Sequence, residues 1–136
     1  MEKAHGFILR KLVLFVAIIG ILTTIAMPAY QNYSRRALFS RLVLAVASRK
    51  VAVELAIQTR NPFALTDLDG GSLGISANVA VNETTHGGEV ADGGITMTWR
   101  SDSTDLDGIT YKLAADGITA PIQWSKGGSC LDKGLC

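Results

Sequence analysis

Between Leu12 and Met27 the chain reads LVLFVAIIGILTTIAM without one charged residue, and no other stretch limits the fold so strongly. A helix that is apolar on every side must lie in lipid or be enclosed by protein. The run falls short of the roughly 20 residues that span a bilayer. Phe7, Ile8 and Leu9 lengthen it, while Arg10 and Lys11 interrupt it, so spanning requires those two side chains to snorkel to the headgroups. From Ala29 the helix signal continues in one-sided form. Leu38, Leu42, Ala45, Val46, Val53 and Ile57 recur near helical spacing, with Arg35, Arg36, Arg41, Arg49 and Lys50 between them. This predicts one helix over about 7–58, roughly 75 to 80 Å long, locally disrupted near Pro28, which lacks an N–H to donate. Asn61, biased away from the helix, and Pro62 end it.

The chain has room for one domain, and the apolar segment takes a large share of it. Its net charge of +1 and pI near 7.8 argue against nucleic acid as the main partner, which calls for a strong basic excess. The apolar fraction is 48% and the mean hydropathy +0.27, with the excess in the first sixty or so residues. A leader of only MEKAHG is too short for an ordinary secretory signal, and no A-x-A pattern follows the apolar run. The anchor is therefore expected to be kept.

Beyond Pro62 the text turns polar and glycine-rich. Ile75 to Val81 alternates briefly and reads as a strand or a helical turn. Three clearer strand signals follow, ITMTWR from Ile95, ITYKLAA from Ile109 and IQWS from Ile122. Short connections favour an antiparallel meander, and the face shared by Ile95, Met97 and Trp99 is expected to lie on the second half of the helix. The fold class is thus α+β.

Candidate chemistry is sparse. TDLDG occurs at Thr66–Gly70 and again at Thr104–Gly108; paired aspartates before glycine resemble the start of a calcium loop, but Asn78 and Asp116 stand where a closing Glu is needed. Aspartate-rich turns are the favoured reading. Asn82-Glu83-Thr84 matches the N-glycosylation pattern. The basic stripe on the helix reads as a solvated or subunit-facing surface rather than a DNA or lipid contact. His86 lies in a glycine-rich loop with no nucleophile beside it, His5 lies in the leader, and Ser129 next to Cys130 reads as loop chemistry, so neither an enzyme nor a cofactor site is expected. Cys130 and Cys136 close only a small loop; free thiols or half a metal site are the alternatives, and a disulfide in an oxidising compartment is favoured beside a membrane segment.

Gly6-Phe7-Ile8-Leu9-Arg10-Lys11, then VAIIGIL and AMPAYQNY, resemble the amino terminus of the type IV pilins, whose pattern is a short leader ending in Gly, then Phe, then a long apolar helix. The resemblance is close from Gly6 to about Arg36 and architectural beyond. It implies a ladle-shaped subunit with a leader over 1–6, a helix over 7–58 and a head over 59–136, the head holding a loop, a four-stranded antiparallel sheet and a disulfide-closed terminal segment expected against the last strand. It implies that a prepilin peptidase cuts between Gly6 and Phe7 and methylates the new amine. The subunit would wait in the inner membrane and then polymerise with itself and other pilins into an extracellular fibre. Such fibres serve adhesion to host surfaces, twitching motility or DNA uptake. A minor pilin, a secretion pseudopilin and a single-pass membrane protein with a binding ectodomain are the alternatives.

One position departs from the family. At the fifth residue after the cut the family has a glutamate, which is thought to neutralise a neighbouring subunit's amine; here it is Lys11, preceded by Arg10. Two like charges about 4 Å apart repel by roughly 4 kcal/mol at an effective dielectric of about 20. Lys11 and Pro28 are therefore the positions expected to shape assembly.

Overall fold

The computed structural model describes residues 2–136, with side chains from His5 onward. The chain forms two compact units, one ending at Ser34 and the other Arg35–Cys136. A single helix, α1 (Glu2–Arg60), supplies the first and begins the second.

In the first unit, every large apolar side chain from Phe7 to Met27 is exposed, from 49% at Ile19 to 69% at Ile25. The helix runs without a break through Pro28, which corrects the expected disruption there. Proline at this position removes one rung of the ladder, the one that would end on the Thr24 carbonyl. Neighbouring hydroxyls add local bonds: Thr23 Oγ1 donates to the Ile19 carbonyl at 2.6 Å and Thr24 Oγ1 to the Ile21 carbonyl at 2.7 Å.

In the second unit, α1 ends where Asn61 turns left-handed at φ 47°, a conformation asparagine tolerates at helix ends, and Pro62 prevents continuation. Four strands follow: β1 (Gly87–Ala91), β2 (Gly94–Thr98), β3 (Thr110–Ala115) and β4 (Trp124–Gly127). They form an antiparallel meander in the order β1-β2-β3-β4. The first strand lies in a stretch read as loop. Its turn, Asp92 at φ 50° and Gly93 at φ 74°, is a two-residue hairpin of the type favoured by Asp-Gly.

The alternation of β2 and β3 places Ile95, Met97, Tyr111 and Leu113 on the inner face, all buried, with Trp99 just beyond. Phe39, Leu42, Val46, Val53, Ala56 and Ile57 of α1 complete this core. The Phe39 and Trp99 rings stack with centroids 6.2 Å apart. Leu38 and Ala45, read as part of the core stripe, are exposed instead, because the buried row runs one residue out of phase with them.

The outer edge of β1 is covered by its own chain. Val90 N–H donates to Asn78 Oδ1 at 2.9 Å, its carbonyl accepts from Gly70 N–H at 2.8 Å, and Val79 bridges Gly88. A β-carbon on Gly70 would lie 1.9 Å from Asn78 Oδ1, so this seal requires glycine there. At the other end, a short helix α2 (Ser129–Asp132) precedes the terminal loop, which the Cys130–Cys136 disulfide closes. The loop is fixed to the start of β3 rather than to the last strand: Thr110 N–H donates to Ser129 Oγ at 2.9 Å, and Ser129 N–H donates to Thr110 Oγ1 at 3.1 Å.

Candidate assembly surface

The apolar half of α1 is the largest uncovered hydrophobic surface among the described residues. This is the one helix there long and apolar enough to cross a membrane; its window has a mean hydropathy of 2.5 and none of it is buried. Gly6 and Phe7 are both helical, so the bond between them lies inside α1. Lys11 follows Phe7 by one helical turn, and its Nζ sits 4.6 Å from the centroid of the Phe7 ring. A ring face attracts a cation weakly, yet it supplies no counter-charge. The next acid along the chain is Glu54, which accepts from Trp124 Nε1 at 2.8 Å. Lys50 Nζ lies 5.8 Å from the Trp124 ring centroid, so Lys50 and Glu54, one turn apart on α1, both hold β4.

In the head, the aspartates of the two TDLDG segments organise turns. Asp67 Oδ2 accepts from the N–H groups of Phe63 and Ala64, Asp69 Oδ1 accepts from Asp92 N–H, and Asp107 Oδ2 accepts from Ser103 N–H. Asp105 pairs with Arg35 of the helix.

A polar cluster that the linear reading missed joins two loops. His86 and Trp99 lie with ring centroids 4.4 Å apart, and His86 Nδ1 accepts from Arg100 N–H at 3.0 Å. That bond requires an unprotonated Nδ1. Burial, then the charge of Arg100, push the imidazole pKa below its ordinary value, with Asp102 opposing. Asp102 accepts from Trp99 Nε1, Arg100 Nε, Thr104 N–H and Thr104 Oγ1. The Thr104 hydroxyl bond is the first cause holding its carboxyl well below the usual range. The residues are spread over 86–104, with no spacing to mark them as neighbours. Their partnership is made by the β1–β2 pairing, which sets Gly87 opposite Thr98. Asn82, of the glycosylation pattern, turns back on its own loop, its Oδ1 accepting from Thr84 N–H, Thr84 Oγ1 and Thr85 N–H.

No family model matches the chain. Among curated proteins it is similar to prepilin peptidase-dependent protein D of Escherichia coli, at 32% identity over 124 residues, covering 88% of this chain and 81% of that one. A fimbrial protein of Neisseria meningitidis is 31% identical over 126 residues, covering 88% and 70%. A fimbrial protein of Pseudomonas aeruginosa is 47% identical over 57 residues, 42% of this chain and 37% of that protein. The fold is similar to the solution structure of the major type IV pilin PpdD from enterohemorrhagic Escherichia coli, with a TM-score of 0.58 at 21% identity over 77% of this chain and 80% of that one. With two curated relatives matched along most of their length, a long apolar helix and an antiparallel head closed by a disulfide, the chain belongs to the type IV pilins.

Proposed function

We propose that this chain is a structural subunit of a type IV pilus, anchored in the inner membrane by the first half of α1 and then polymerised through it into an extracellular fibre with copies of itself and other pilins. The observation that carries this reading is the helix from Leu12 to Met27, uncharged and with its large apolar side chains exposed on every side. Such a surface needs lipid or other helices around it, and a filament core supplies the second as soon as the first is left. Before assembly, a prepilin peptidase would cut between Gly6 and Phe7 and methylate the new amine. The role is mechanical rather than catalytic, and the fibre would serve adhesion, motility or DNA uptake.

Electron microscopy of sheared surface fibres, with mass spectrometry of their subunits, tests the proposal. The expected result is fibres containing this chain with Phe7 as its first residue. Intact Met1 in assembled subunits would contradict the processing step, and fibres lacking the chain would contradict the whole reading. Lys11 favours a second reading, an accessory pilin present in few copies, because a cation without an acid nearby does not suit a core made of many identical helices. The copy number of the chain per fibre separates the two.

A further inference from the structure

Opposite the row that faces the core, the second half of α1 carries another row that the head leaves uncovered. Leu44 is 72% exposed, Val51 61% and Leu55 57%. With Ala37, Arg41 and Ser48 they follow the alternating four- and three-residue spacing of a helix-packing seam. Residues i, i+3, i+4 and i+7 outline a hole on a helix surface. Here these are Leu44, Ala47, Ser48 and Val51, all exposed, with large walls and a small floor. The Ser48 hydroxyl is spent on the Ala45 carbonyl at 3.1 Å, so an apolar group seated there leaves it satisfied.

The same unit carries a knob. Phe63, just beyond the helix, is 98% exposed. Its N–H donates to Asp67 Oδ2 at 2.9 Å, which ties a carboxylate to the same tip. The charges are divided in the same sense: residues 35–60 hold six basic side chains against the single acid Glu54, and residues 61–136 hold ten acids against four basic side chains. Arg41 lies one turn from the hole.

We propose that Phe63 of one copy seats in the hole formed by Leu44, Ala47, Ser48 and Val51 of a second copy, with Asp67 facing Arg41. This rests on the filament reading and specifies one of its contacts. Ser48 and Arg60 stand about 18 Å apart along the helix, so the knob lies well beyond the hole of its own chain. An interface that joins two different patches of one chain repeats without closing and generates a helical array. Two seams laid face to face in register would instead set Arg41 against Arg41, and like charges at such a contact repel.

The test uses cysteine pairs in the full chain within assembled fibres. Phe63→Cys with Ser48→Cys in one chain should give, on mild oxidation, a ladder of covalent multimers; the two single variants mixed in one fibre should give dimers and nothing larger. Both sites are exposed, and the native disulfide is internal to each chain, so it adds nothing to the ladder. Dimers from Ser48→Cys alone would place two seams face to face and overturn the proposal, as would fibres of the double variant that yield no ladder. If the double variant makes no fibre, a charge exchange decides: Asp67→Arg should lower incorporation severalfold, and Arg41→Asp in the same chain should restore it. No restoration would overturn the contact. Absence of fibres from the unaltered chain would instead count against the filament reading itself.

Discussion

Lys11 holds its ammonium over the Phe7 ring, a contact that shields the charge without cancelling it. In a packed helix core excluded from water, such a cation must find an anion, reach the headgroups or lose its proton. Lys11→Glu should therefore raise the fraction of this chain incorporated into fibres, by several-fold or more, while leaving the circular dichroism of the head unchanged. Equal or lower incorporation would show that neighbouring subunits accommodate the cation. At His86 the titration runs in a stated direction. Its pKa is lowered in the fold, so the unfolded chain binds the proton more readily. Stability from this residue is full above the ordinary value near 6.5 and is lost as the pH falls below that value toward the folded one. The thermal midpoint should fall between pH 7 and 5.5, and His86→Asn, whose side-chain oxygen can still accept from Arg100 N–H, should flatten that part of the profile. Asp102 acts lower on the scale. Its depressed pKa adds stability that is present above the ordinary carboxylate value and lost as the pH falls toward the folded one.

The elements differ in how openly the sequence announces them. Strands β2 and β3 alternate cleanly, because Ile95, Met97, Tyr111 and Leu113 face one core, and both were legible. β1 was not, since Gly87 and Gly88 carry no side chain to alternate; the Asp92-Gly93 pair was the available signal, and it marks the hairpin rather than the strand. In the second half of α1 the difficulty is of another kind. Two apolar rows run along it, one through Phe39, Leu42 and Val46 and the other through Leu44, Val51 and Leu55, and periodicity alone does not say which meets the sheet. Glycine at 88 gives part of the answer: a β-carbon there would come within 2.8 Å of the Arg49 guanidinium, which lies on that strand. Gly128 is the sharpest such constraint. It adopts φ 101°, and a β-carbon would stand 2.5 Å from the Thr110 carbonyl oxygen, which belongs to backbone and cannot turn aside. Gly128→Ala should cost about 2 kcal/mol or more in urea denaturation of the head.

For the molecule as a whole, the family and the long apolar helix were legible in the first thirty or so residues and the head only in outline, because its local turns are joined by hydrogen bonds such as Asn78 to Val90, Asp69 to Asp92 and Ser129 to Thr110 that link residues far apart in sequence. The disulfide belongs to this scale, since it fixes the chain end on which Ser129 meets Thr110. A loop this short is worth about 2 kcal/mol at most by chain entropy, so reduction should lower the thermal midpoint of the head by several degrees without unfolding it. Loss of all cooperative melting on reduction would show that the terminal loop supports the core as well as closing the end. The seal along β1 has a further consequence. Where copies of a chain crowd together, a bare strand edge recruits its neighbours into continuous sheet, the route to amyloid. With Asn78, Gly70 and Val79 already occupying that edge, crowding along β1 has no template to copy.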